Sequence, residues 1–130
     1  MFVAMLIVIL IALLFPLVPP VHESPKRVTA RQDVIMIREA LKQYIVEFGT
    51  APVGNHAQIM TALRGKNPKQ IIIFEADAKR FNPRGEFLDP WGTPYRIEAS
   101  NIDFPWAYSF GKNLIDEGGA EFSDDIVSWR

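Results

Sequence analysis

The sequence predicts an α+β domain behind an apolar N-terminal segment, and three observations lead there. Residues 29–64 repeat apolar side chains at helical spacing. Beyond them, Gly, Pro, Asn and Asp break the chain into short runs that read as turns and strands. The first 18 residues carry no charged side chain. A length of 130 residues allows one compact domain. The lack of cysteine excludes a disulfide framework and a thiolate zinc site. A formal net charge of −1 gives no overall attraction to nucleic acid. A single apolar segment excludes a polytopic transporter.

Met1 to Val18 holds apolar residues throughout, interrupted by Pro16. As a helix it would span about 27 Å, close to the roughly 30 Å hydrocarbon core of a bilayer. No Lys or Arg precedes Lys26, and Leu17-Val18-Pro19-Pro20 is a poor cleavage site, which argues against a signal peptide. The segment has no polar face, which argues against a buried core helix. Residues 1–20 are therefore expected to form a membrane anchor. Pro19, Pro20 and Pro25 make residues 21–28 a proline-rich joint, and the globular domain follows over 29–130. Lys26, Arg27 and Arg31 lie just after the apolar run, so the positive-inside rule alone would place the body in the cytoplasm.

A long helix is expected over residues 29–48. Thr29 and Gln32 have capping-box spacing. Val34, Ile37, Leu41, Tyr44, Ile45 and Phe48 supply the apolar stripe, and Gly49 is placed to end it in a left-handed turn. A short second helix follows from Ala57 to Arg64, with Asn55 as a cap and Gly65 as its stop. Ile71 to Phe74 reads as a buried strand or a short helical turn, and four residues cannot decide between them. Asp89-Pro90-Trp91-Gly92 has the signature of a type I turn. Strands are expected at Tyr95–Glu98, Trp106–Phe110 and Ile126–Trp129, the first two joined as a hairpin. The sum is two helices followed by a small antiparallel sheet.

Catalytic signals are sparse. His22 and His56 have no nucleophile at a familiar spacing, and Ser109 sits in Tyr-Ser-Phe-Gly rather than in a nucleophile elbow. No phosphate-cradling loop or zinc-protease motif occurs. The expectation is that the chain is not an enzyme. The aromatics from Phe87 to Phe110 read as core and turn packing, since only Arg96 is basic among them. The C-terminal stretch is more informative. Asp116, Glu117, Glu121, Asp124 and Asp125 outnumber Lys112 and Arg130, with Gly111, Asn113, Gly118, Gly119 and Ser123 between them. Oxygen side chains on a glycine-permitted loop suit calcium, while a solvated acidic tail has the same composition. The candidate metal ligands are Asn113, Asp116, Ser123, Asp124 and Asp125.

Four segments, in order along the chain, resemble one family. Tyr44-Ile45-Val46-Glu47-Phe48-Gly49-Thr50-Ala51-Pro52 is similar to "Y-x-x-D-x-G-x-Y-P". Phe87-Leu88-Asp89-Pro90-Trp91-Gly92-Thr93-Pro94-Tyr95 resembles "F-x-D-P-W-G-x-P-Y". Tyr108-Ser109-Phe110-Gly111 is similar to "Y-S-x-G", and Ser123 to Trp129 resembles the terminal "D-D-I-x-x-W" or "D-x-D-I-x-x-W". These are segments of type II secretion pseudopilins, closest to the G-type, and they cover about residues 30–130.

The resemblance implies a pilin-like fold and a subunit that polymerises into a pseudopilus helping to export folded proteins. It implies a bacterial inner-membrane, single-pass location with a periplasmic body. The implied partners are the subunit itself, other pseudopilins, the inner-membrane secretion platform and membrane lipid. It also implies calcium in the C-terminal loop. Asp125 matches the aspartate before the isoleucine and Asp124 the first aspartate of the D-D-I form. Ser123 would stand in its place in the D-x-D-I form, and Asn113 stands where an aspartate often follows the glycine. Carbonyls from Phe110 to Asp116 would supply further ligands. The sequence opens on Met1-Phe2-Val3-Ala4 rather than on the family's basic leader and G-F-T-L-I-E segment, so an upstream start or an unprocessed anchor is expected. The alternative reading is a membrane-anchored extracytoplasmic binding module that keeps a pilin-like body without polymerising.

Overall fold

A computed structural model describes residues 23–130, together with Val3, Met5 and Ile7. Apart from those three residues, the expected anchor over 1–20 and the first part of the joint lie outside the described residues.

Helix α1 runs from Pro25 to Phe48 and therefore starts four residues before Thr29. The cause is local. Proline's fixed φ suits the first helical position, where its missing N–H would be unsatisfied anyway. The Val28 N–H then closes the first turn on the Ser24 carbonyl at 3.1 Å. Thr29 falls inside the helix, so the expected Thr29–Gln32 capping box is not formed. At the other end Gly49 takes φ +73°, and its N–H donates to the Ile45 carbonyl at 2.8 Å. Ala30, Val34, Ile37, Ala40, Leu41 and Tyr44 form the buried stripe, with Ile45 and Phe48 half-buried beside it.

Helix α2 spans His56–Leu63 and carries a complete capping box: the Gln58 N–H donates to Asn55 Oδ1 and the Asn55 N–H donates to Gln58 Oε1. Gly54 (φ +115°) leaves room for this, because a Cβ there would overlap the Gln58 side chain. Ile59, Met60 and Leu63 face the core. Ile71 to Phe74 is neither strand nor helical turn. The N–H groups of Ile73 and Phe74 both donate to the Leu63 carbonyl, and this bends the segment back so that Phe74 enters the core. A short 3₁₀ turn follows at Ala78–Arg80.

Three strands complete the domain: β1 (Arg96–Glu98), β2 (Trp106–Ser109) and β3 (Ile126–Val127), antiparallel in the order β1-β2-β3. Ile97 pairs with Ala107, and Ser109 pairs with Ile126. Each is shorter than the strand the sequence predicts. At the end of β3 Ser128 continues the ladder in part through its side chain: its N–H donates to the Ala107 carbonyl and its Oγ accepts from the Ala107 N–H, both at 3.0 Å. Helix α1 lies across β2 and β3, and Ala107 and Ile126 meet its stripe in one core with Phe87, Tyr95 and Phe74. The α+β expectation is borne out.

One member of the α1 stripe is charged. Asp33, 3% exposed, accepts from both terminal nitrogens of Arg80 and from the Tyr95 hydroxyl. Arg80 Nη2 also donates to the Leu88 carbonyl at 3.1 Å, and the guanidinium lies 4.5 Å from the centre of the Phe87 ring. Burial, then the bond to Asp33, pushes the Tyr95 phenol far above its ordinary range, so it remains a donor. Asp33→Ala should strand a guanidinium and a phenol and destabilise the domain by about 3 kcal/mol, the low end for a buried pair because Arg80 is partly exposed. Urea denaturation of the full chain in detergent would show this as a lowered midpoint with an unchanged slope.

Candidate functional site

The candidate site is the loop between β2 and β3, and its geometry starts from Asp89. The type I turn forms as expected, with the Gly92 N–H donating to the Asp89 carbonyl at 3.0 Å. Asp89 Oδ1 accepts from the N–H groups of Trp91 and Thr93 at 3.0 and 2.9 Å, and Oδ2 accepts from Ser109 Oγ at 2.7 Å. Ser109 Oγ accepts in turn from the Gly111 N–H at 3.0 Å. Two sequence motifs separated by about twenty positions are thus one hydrogen-bonded unit. The Ser109 hydroxyl donates and accepts within this structural unit.

Gly111 closes the loop. Its φ is +73°, and a Cβ there would fall on the Asp124 backbone carbonyl, so the two ends of the loop can touch only with glycine. Asp124 Oδ2 accepts from the Asn113 N–H at 2.8 Å, while Oδ1 accepts from Arg27 Nη1 at 3.2 Å. That second contact docks the loop onto the start of α1. Asp125 is buried. Its Oδ2 accepts from the N–H groups of Glu117 and Gly119 at 3.1 and 2.7 Å, and its Oδ1 is buried without a donor. Burial raises the Asp125 carboxyl against those two hydrogen bonds, and the neighbouring Glu117 and Asp116 charges add to the rise.

The remaining candidates fill different roles. Asn113 Oδ1 accepts from the Ile115 N–H, and its Nδ2 donates to Glu117 Oε1 at 2.6 Å. Ser123 Oγ donates to the Ala120 carbonyl at 2.7 Å and accepts from the Asp125 N–H at 3.3 Å. Asp116 Oδ1 accepts from the Gly118 N–H and from the Tyr108 hydroxyl, which hold its carboxyl below the usual range. Burial and this same carboxylate push the Tyr108 phenol up to about 12. The loop therefore joins Asn113, Asp124 and, through Glu117, Asp125 into one network, and it ties Asp116 separately to β2. Glu117 was not among the sequence candidates. It accepts from Asn113 and from the Asp124 N–H, and no spacing signal marked it. Among the described residues no group of three or more His, Asp or Glu side chains is arranged to hold a metal ion. Leu114 and Phe122 adopt φ +60° and +64°, which side chains rarely do, and Phe122 is 98% exposed.

Comparison with known families decides the broader identity. A family model described as type II secretion system (T2SS), protein G, matches residues 18–129. The chain belongs to this family. Curated proteins and solved structures gave no match. The protein G match extends upstream of the four motifs, through the joint to Val18, and bears out the G-type pseudopilin resemblance. The family is one of structural secretion subunits, and the chain is a type II secretion pseudopilin.

In this pseudopilin His56 ties the start of α2 to Phe87. Its Nε2 accepts from the Phe87 N–H at 3.1 Å. Burial lowers its pKa from 6.5, against the opposing influence of Glu86 and a hydrogen bond to the Tyr95 backbone. The unfolded chain thus takes up a proton before the folded one does. Stability should be complete above about pH 6.5 and decline as pH falls below it toward the lowered folded value. Melting curves of the full chain between about pH 7 and pH 5 should show this decline, and His56→Gln should flatten it.

Proposed function

We propose that this chain is a polymerising subunit of the type II secretion pseudopilus. Met1–Val18 anchors it in the bacterial inner membrane, and the domain from α1 onward faces the periplasm. It packs against further copies of itself, against other pseudopilins and against the inner-membrane platform, and it takes part in moving folded proteins outward. The observation that carries the reading is the protein G match over 18–129. The motifs inside that match are also joined physically, through Asp89, Ser109 and Gly111, rather than merely occurring in order.

The chain has no cysteine, so single-cysteine variants report contacts cleanly. Ile35 and Met36 are both half-exposed on α1. A chain carrying both Ile35→Cys and Met36→Cys, oxidised in membranes of cells carrying the secretion apparatus, should give a ladder of disulfide-linked products, whereas either cysteine alone should stop at a dimer. Monomers alone, with the apparatus present, would sink the polymerising role and favour the anchored binding module.

The reading includes calcium in the C-terminal loop. The support is Asp125 Oδ1, a buried carboxylate oxygen without a donor in a loop rich in oxygen groups. Asp125 would be the central ligand. Asn113, Asp116, Ser123, Asp124 and carbonyls between Phe110 and Asp116 are the further oxygens available, and Asp124 would loosen its pair with Arg27. The positive charge would relieve the burial that now raises the Asp125 carboxyl. At a calcium concentration about 100 times its Kd the gain would be about 2.7 kcal/mol. Melting of the full chain should shift upward with calcium and return on chelation. Asp125→Asn keeps an acceptor for Glu117 and Gly119 and should abolish the shift. An equal shift in that variant would remove calcium from the loop.

A further inference from the structure

The docking of the C-terminal loop onto α1 leaves a cleft of about 460 Å³ beside the contact, lined by Arg27, Arg31, Ser123, Asp125 and Arg130 with Ile126 and Val127 of β3. Three arginines from two distant parts of the chain line it. Arg27 and Arg31 are one helical turn apart on α1. Arg130 is held by Nη2, which donates to the Gly119 and Ala120 carbonyls at 2.6 and 3.2 Å.

Carboxylates stand among them and set the balance. Glu23 holds both terminal nitrogens of Arg31 at 2.6 Å and lies 3.7 Å from Arg27, and Asp124 lies 3.2 Å from Arg27, so Arg31 would have to exchange Glu23 for a ligand. These contacts leave donors over. Among the described residues Arg27 makes hydrogen bonds through Nη1 alone and Arg130 through Nη2 alone, so the fork of each retains unused N–H groups. Asp125 is the acid that lines the cleft itself, and its Oδ1 lacks a donor.

We propose that this cleft binds a phosphate group, with the phosphate of a lipid headgroup as its source. Guanidinium forks match phosphate oxygens in paired hydrogen bonds, which is why arginine rather than lysine builds such sites. The position of the cleft favours lipid. It sits at the N-terminal end of α1, and α1 begins seven residues after the uncharged Met1–Val18 run. A chain anchored by that run holds Arg27 and Arg31 within reach of the headgroup layer. The lipid source therefore rests on the anchored reading above, whereas the phosphate site rests only on the three arginines.

The test uses the full chain in a phosphate-free maltoside detergent, followed by thermal melting. It is titrated in turn with inorganic phosphate, short-chain phosphatidylglycerol and the matching short-chain diacylglycerol. Phosphatidylglycerol should raise the melting temperature saturably at about tenfold lower concentration than inorganic phosphate. Arg130→Gln and Arg31→Gln should each weaken that response about tenfold, and Lys42→Gln, whose residue pairs with Glu39 on the far part of α1, should not. Arg27→Gln also breaks the Asp124 contact, so the other two variants carry the conclusion if it melts low. Equal responses to inorganic phosphate and to phosphatidylglycerol would keep the site and overturn the lipid source, with no bearing on pseudopilus assembly. A response to diacylglycerol matching that to phosphatidylglycerol, no saturable response, or a response unchanged in the arginine variants would overturn the site.

Discussion

Asp33 takes a place in the buried stripe of α1 that an apolar side chain would fill at lower cost. Removing a carboxylate from water costs several kcal/mol even after the protein relaxes around it. The fold offsets this with a two-pronged guanidinium and a phenol that keeps its proton. The consequence is geometric. Arg80 and Tyr95 come from the 3₁₀ turn and from the approach to β1, and both are oriented by one oxygen pair on α1. Arg80 also reaches the Leu88 carbonyl and covers the Phe87 ring, so the segment from Ala78 to Tyr95, which has almost no regular structure, is pinned to the helix. Apolar packing would bury the same surface without fixing its register.

From that anchorage the order passes outward. Tyr95 ends the segment whose turn is built by Asp89, and Asp89 also holds Ser109. Ser109 steers Gly111, and Gly111 admits the Asp124 carbonyl. The loop is thus positioned from inside the domain and only then touches Arg27 at its rim. This sequence of dependence explains why the turn motif and the C-terminal motif accompany each other: neither side chain set is complete alone.

Much of this was legible in the sequence where the determinant was local. Gly49, the Asn55 cap and the Asp89–Gly92 turn each depend on residues within four positions, and each formed as expected. The start of α1 was misplaced because two N-terminal signals compete there, and proline at the first helical position outweighs a threonine with capping spacing. Ile71–Phe74 was undecidable because its fate depends on the Leu63 carbonyl, which has to accept two bonds. Asp33 was invisible: a lone acid on a helix reads as solvent-facing, and its partners lie 47 and 62 residues away. The acidic loop was visible as composition, but the division of labour among its carboxylates was not, since it follows from which backbone N–H groups the glycine turns present.

The sheet is small in a way that matters. β1 lies at one side of it with three residues, and two of them, Arg96 and Glu98, are charged. A free strand edge is a template on which another chain can add, and a short, charged edge is a poor one. Neighbouring chains have little opportunity to join through backbone pairing along β1, which would be sequence-blind and hard to reverse. Association is left to side-chain surfaces, which can be specific and can come apart.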